Sequence, residues 1–91
     1  MIFEWNEETY HSNYMKHWIR FEHATQVWKD PMALEFYDSE SSTEEDRFIK
    51  IGHSSGYGIL VVVYCERVNG EVIRIISARK ATKSERGLYE R

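Results

Sequence analysis

ILVVVYCERVNGEVIRIISAR, residues 59 to 79, is the stretch that decides the fold. Two runs rich in β-branched residues flank Asn69-Gly70, and Asn-Gly between such runs is a strong hairpin signal, because both central residues of a type I′ turn need positive φ. The stretch predicts two antiparallel neighbours. Upstream the pattern stays extended, with MALEFYD at 32–38, an acidic SESSTEED at 39–46, RFIKIGH at 47–53 and a Ser/Gly turn at 54–58. Four consecutive antiparallel strands follow from this order.

Before the strands, IFEW at 2–5 alternates as a short strand would. Asn6 can cap a helix whose first turn carries Glu7 and Glu8, acids that the helix dipole favours. Tyr10, Tyr14 and Trp18 recur every four residues, a spacing that predicts a face packed on the rest of the fold. Phe21, Ala24, Val27 and Trp28 mark a second helix, which must stop by Asp30 because Pro31 disfavours helical geometry in the residue before it. After the last strand, Thr82 and Glu85 have capping-box spacing, so a C-terminal helix should run to about Tyr89. The order is β-α-α-β-β-β-β-α, an α+β class with helices around a small antiparallel sheet.

The 91 residues, 42% hydrophobic and 14% aromatic, suit one domain, 1–91, with one core. Disorder is excluded by the amount of large apolar surface available for burial. Cys65 has no partner for an internal disulfide and sits in an apolar run, which predicts a buried reduced thiol and a cytoplasmic protein. The longest apolar run, ILVVVYC at 59–65, falls far short of the ~20 residues that cross a bilayer, so no membrane association is expected. Net charge is −3, but residues 1–65 carry five Lys/Arg against eleven Asp/Glu, whereas residues 66–91 carry seven against four. The basic end can attract a polyanion, or it can be a solvated helix face and strand edge.

A sheet with two helices on one face leaves its other face free for function. By strand parity Arg74 shares a face with Val72, Ile76 and Ala78, and Arg79 shares the opposite face with Ile73, Ile75 and Ser77. Only a bulge would bring the two arginines together. Arg47, Ile49, Ile51 and His53 share one face of their strand, and parity does not say which face is open. His11, His17 and His23 are six apart, about 240° around a continuous helix, so no pair forms a metal site, and no phosphate-cradling glycine loop is present. No metal or other cofactor is expected.

Several motifs in this order carry a resemblance: FEWN; Asn13, Lys16 and His17 as N-x-x-KH; I-x-FEHA at 19–24; V-W-x-DP at 27–31; E-D-R-F at 45–48; IGHS at 51–54; LVVVY; and RIISARKATKSERGLYE. Together they resemble the BrnT family of toxins over essentially the whole chain, most specifically in RIISAR-x-A-x-x-x-ER-x-x-Y. The resemblance implies a RelE-like fold and a metal-independent endoribonuclease that arrests growth. It also implies a ribbon-helix-helix antitoxin as partner, a heterotetramer built on the antitoxin dimer, and repression of the pair's own operator DNA through the antitoxin.

Cleaving RNA without a metal uses the 2′-OH as nucleophile, so the site must deprotonate it, stabilise charge on the phosphate and protonate the leaving 5′-oxygen. Arginine suits the phosphate, since its fork matches the oxygens and stays charged. Arg79, which closes the most specific motif, leads the candidates, with Arg47 and Arg74 beside it. His53 and Glu45 are candidates for proton transfer, and Lys16 and His17 could reach the sheet from the end of the first helix. Lys80, Arg86 and Tyr89 are candidates for contact with RNA or antitoxin.

Each has a plainer reading: Arg74 as a cross-strand partner of a glutamate, Tyr89 as a helix anchor, His53 as a solvated turn residue, Glu45 as a salt-bridge partner. A non-catalytic domain of the same fold that only binds the antitoxin is the competing function. The chain also departs from the family pattern. Where members usually read KHG it has Trp18, poorly suited to a left-handed helix end, and SESS at 39–42 stands where many members carry a histidine.

Overall fold

A computed structural model describes residues 1–91. In chain order it contains β1 (Ile2–Glu4), α1 (Glu7–His17), α2 (Phe21–Ala24), β2 (Leu34–Tyr37), β3 (Phe48–Ser54), β4 (Gly58–Arg67), β5 (Val72–Lys80) and α3 (Lys83–Tyr89). The second helical segment is shorter than its pattern suggested, because a 3₁₀ turn over Thr25–Lys29 completes it before Asp30 turns extended ahead of Pro31. No helix is long and apolar enough to cross a membrane.

Strands β2 to β5 pair antiparallel in sequence, as expected. The N-terminal strand adds a parallel edge, giving the order β1-β5-β4-β3-β2 and a mixed sheet. β1 covers only Val72, Ile73 and Arg74 of β5. Further along, α1 replaces it. The buried Asn13 side chain donates from Nδ2 to the Ala78 carbonyl at 2.9 Å and accepts the Ala78 N–H on Oδ1 at 3.1 Å. One carboxamide thus satisfies both backbone groups that a strand partner would have taken.

The β4–β5 hairpin forms where Asn69-Gly70 predicts it, and its turn also takes in Val68. Val68 and Asn69 hold positive φ, 52° and 56°, and the Gly70 N–H closes the turn on the Arg67 carbonyl at 3.1 Å. Gly70 continues the run at φ 84°, and the Glu71 N–H closes a second, overlapping turn on the Val68 carbonyl at 3.1 Å. Asn69-Gly70 is therefore a turn centre as well as Val68-Asn69, and at Val68 a β-branched residue occupies a backbone region that normally excludes it.

A bulge re-phases β5. Val63 pairs with Ser77 and Tyr64 with Ile75, so Ile76 has no partner on β4. Before it, Ile73 and Ile75 point to the helices; after it, Ala78 does. This overturns the simple parity reading. Arg74, opposite Cys65, and Arg79, opposite Val61, lie on the same face, away from α1 and α2.

The main core lies on the helix side, where Leu60, Val62, Tyr64, Ile73 and Ile75 meet Ile19, Phe21, Ala24 and Val27. Each such aliphatic side chain contributes about 1.5–3 kcal/mol on burial. Gly52 of β3 allows the approach: a Cβ there would come within 3.0 Å of the Ala33 Cβ and 3.1 Å of the Val27 Cβ. The opposite face has a smaller core of Ile51, Val61 and Ala81, against which Tyr89 of α3 packs. Cys65 is buried, as its apolar run predicts.

Asn6 caps α1 by accepting the Thr9 N–H at 3.0 Å, and at the other end Trp18 adopts the left-handed conformation, φ 62° and ψ 25°, with its N–H on the Tyr14 carbonyl. Tyr10 packs on Trp5 and Phe21 as its spacing implies, but Trp18 does not continue that face. The helix has ended, and the indole is 74% exposed. The left-handed turn that glycine makes easily is kept by tryptophan at a cost of about 1 kcal/mol.

Candidate functional site

With α1 and α2 covering one side, the other side of the sheet holds a groove of about 400 Å³ beside α3. Its floor is Ile49, Ile51, Val61 and Val63, its walls are Phe36 and Leu88, and its rim carries Asp38, Glu40, Arg79 and Glu85. Arg79 stands at this rim because the bulge turns it outward and because Thr82 starts α3 three residues later. In the capping box, Thr82 accepts the Glu85 N–H while the Glu85 carboxylate accepts the Thr82 N–H at 2.8 Å. The same carboxylate receives Arg79 Nη1 and Nη2 at 2.7 and 2.8 Å, a fork-to-fork pair. The hydrogen bonds from Arg79 hold the Glu85 carboxyl down to about pKa 2, and Glu85 in turn raises the pKa of Arg79.

A second charged group lies about 13 Å away, four residues along β4. There Arg74 donates to Glu4 at 3.2 Å across the parallel β1–β5 pair, and Arg47 meets Glu45 at 3.3 Å. Arg67 lies between them, 3.9 Å from both Glu4 and Glu45. Three guanidiniums and two carboxylates alternate in one chain. Sequence reading missed Arg67 and Glu4, which meet each other from sixty-three residues apart in the sequence.

Candidate residues on β3 separate. Glu45 and Arg47 precede the strand and His53 nearly ends it, so the two ends stand roughly 20 Å apart and cannot serve one phosphate. His53 lies with Asp30, Tyr89 and Lys29 in a second cavity of about 410 Å³. Asp30 is the hub. Its Oδ2 accepts the Tyr89 hydroxyl at 2.5 Å and the His53 N–H at 2.8 Å, and Oδ1 accepts the Met32 N–H at 2.9 Å. Desolvation pushes the Asp30 carboxyl up, but these hydrogen bonds outweigh it and leave the pKa lowered; the same bond raises Tyr89 to about 12. Tyr89 therefore anchors α3, and only the backbone of His53 is held.

Lys16 and His17 line a third cavity, with Asn13, Ile76 and Ser77 among its walls. Ser77 faces the groove side two residues before Arg79, so the end of α1 does reach the sheet. Lys80 and Arg86 are exposed near the start of α3. The acidic loop closes in too. Asp38, Glu40 and Ser41 border the groove beside Arg79, held by Ser42, whose hydroxyl bridges the Asp38 carbonyl and the Arg47 N–H at 2.6 and 2.8 Å.

A family model described as "Ribonuclease toxin, BrnT, of type II toxin-antitoxin system" matches residues 5–85. The chain belongs to the BrnT family. Its fold is similar to the 1.1 Å crystal structure of the Brucella abortus ribonuclease toxin, BrnT, with 27% identity and a TM-score of 0.66 over 91% of this chain and all of that one. A search of curated proteins finds no match. As a ribonuclease toxin of a type II system, a BrnT chain has an antitoxin as partner.

Several BrnT-like motifs have structural tasks in this fold. The Asn of N-x-x-KH closes the β5 edge, the Asp of V-W-x-DP ties α3 to β3, and the Gly of IGHS admits the 3₁₀ segment. These roles were hidden because each joins segments far apart in sequence.

Proposed function

We propose that this chain cleaves RNA internally without a metal, using Arg79 to hold the scissile phosphate. The observation that carries this reading is the outward-turned Arg79 fork at the groove rim, its two Nη atoms already engaged by a carboxylate in the geometry a phosphate would adopt. Substrate phosphate would take the place of Glu85. Lys16 adds positive charge, and His17 is the imidazole sharing a wall with β5 two residues from Arg79, placed to take the 2′-OH proton or supply one to the leaving 5′-oxygen. His53 is set apart with Asp30 and Tyr89. The Arg47–Arg67–Arg74 chain would engage a flanking phosphate, with Glu45 as its salt-bridge partner rather than a base. Lys80 and Arg86 supply further charge toward RNA or antitoxin.

The partner in this reading is a ribbon-helix-helix antitoxin, in a heterotetramer on the antitoxin dimer that represses its own operator DNA; the family resemblance supports this. A second reading has a specific basis: Arg47, Arg74 and Arg79 are all paired with carboxylates. An antitoxin-binding domain without catalysis would look the same.

One assay separates the two. Defined RNA is incubated with the chain in EDTA, beside Arg79→Ala, and the new ends are mapped. Cleavage that survives chelation, leaves 2′,3′-cyclic phosphates and falls by about 10²–10³ in the variant establishes the enzyme. Intact RNA, free or ribosome-bound, establishes the binding domain.

A further inference from the structure

The end of α1 combines two costs that a purely structural residue would avoid. Trp18 holds φ 62°, where a side chain is disfavoured, and its indole is 74% exposed. Either feature alone is unremarkable in a protein surface. Together they place a rigid aromatic plane in solvent at a position where glycine would serve the backbone better.

The surroundings show what the plane can meet. Residues 16 to 20 read Lys-His-Trp-Ile-Arg, with no carboxylate. The Arg20 guanidinium is fixed over the Tyr14 ring, 5.6 Å from its centroid, and the nearby Glu22 carboxylate is engaged by the Tyr10 hydroxyl at 2.6 Å. Lys16 and His17 border Ser77, which shares its sheet face with Arg79, in a cavity whose one carboxylate is Glu8. The strip thus runs from an exposed ring to the arginine at the groove rim. Aromatic rings beside cations are how proteins hold single-stranded nucleic acid, through base stacking and backbone charge together.

We propose that Trp18 is a stacking platform for an unpaired base of the RNA substrate, with Lys16 and Arg20 on the adjoining phosphates. The platform rests on the RNA reading given above and extends it: Trp18 sets where along the strand the RNA is held, while Arg79 addresses the phosphate. Stacking tolerates any base, so the contribution is to affinity and to register more than to base identity. A protein surface is the lesser match, because the ring is flanked by cations and not by an apolar groove.

The experiment compares wild type, Trp18→Gly and Trp18→Phe for binding to a single-stranded 2′-O-methyl RNA, which cannot be cleaved by attack of its 2′-oxygen. Fluorescence anisotropy at low salt gives the affinities, and thermal unfolding is measured on the same samples. Trp18→Gly should weaken binding roughly tenfold or more while raising the melting temperature, and Trp18→Phe should retain most of the affinity. The opposite signs of the two effects in the glycine variant separate lost stacking from a damaged fold. Equal affinity of wild type and Trp18→Gly overturns the platform alone. Equal affinity together with weaker capture of the co-expressed antitoxin assigns the ring to the protein partner and also overturns it. A wild-type chain that holds no RNA overturns both this inference and the ribonuclease reading, which the Arg79 cleavage assay tests separately.

Discussion

Arg79 and Glu85 meet fork to fork at 2.7 and 2.8 Å, six residues apart across the junction of β5 and α3. The glutamate that completes the helix cap also occupies the arginine assigned to phosphate, so folding and substrate compete for one side chain.

Glu85→Gln should therefore expose that competition. Glutamine can still complete the cap but no longer neutralises Arg79. RNA affinity should rise about fivefold, the equivalent of ~1 kcal/mol, and salt should weaken RNA binding more steeply than in wild type. Titration of uncleavable RNA at two salt concentrations checks both; unchanged affinity would mean that phosphate does not reach Arg79.

The same pair sets a pH dependence. Glu85 titrates near 2 in the folded chain against an ordinary 4.5. A carboxyl whose pKa is depressed by folding stabilises the native state above its unfolded value, and that contribution fades as pH falls. Chemical unfolding of wild type and Glu85→Gln should differ at pH 6 by roughly 1 kcal/mol, and the gap should close between about pH 4.5 and 2.

Asn13→Ala should cost about 2–3 kcal/mol, since it leaves both the N–H and the carbonyl of Ala78 buried without a partner. Thermal unfolding gives the size of the loss, and hydrogen exchange should show it concentrated at Ala78 and the end of β5. A loss below 0.5 kcal/mol would mean that water or a shifted helix replaces the amide.

Val68→Asn should stabilise the chain by about 1 kcal/mol, because asparagine accepts the left-handed backbone that valine occupies at φ 52°. Its effect should appear as a higher denaturant midpoint with an unchanged slope. An unchanged or lower midpoint would mean that valine holds no strain at this position that asparagine can relieve.

What could be read in advance depended on how local the cause was. Asn6, Pro31 and the Thr82–Glu85 box mark element ends through neighbours within a few residues, and those ends lie where expected. The turn takes in Val68 as well as Asn69-Gly70 because the last strand pair is Arg67 with Val72, which the Asn-Gly signal alone does not announce. β1 is three residues long, too few to announce a parallel partner seventy residues away. The bulge was hidden because Ile73, Ile75 and Ile76 are chemically equivalent, and apolar alternation cannot show where the phase changes. For the site, Arg79 stood out as the arginine that closes the most specific motif, but its engagement by Glu85 and the separation of His53 from Glu45 depend on the three-dimensional placement of α3 and β3.

The unpaired Ile76 gives β5 a phase that depends on a single residue. Deleting Ile76 would remove the bulge and keep Ser77 opposite Val63, but pairing Ile76 regularly with Val63 would exchange inside for outside for every side chain from Ser77 onward relative to the first half of the strand. Arg79 would be driven against the helices, and Ala78 would take its place at the groove. The bulge at Ile76 is thus as much a part of the binding face as the guanidinium itself, because a cation at position 79 faces the groove only while Ile76 stays out of the ladder.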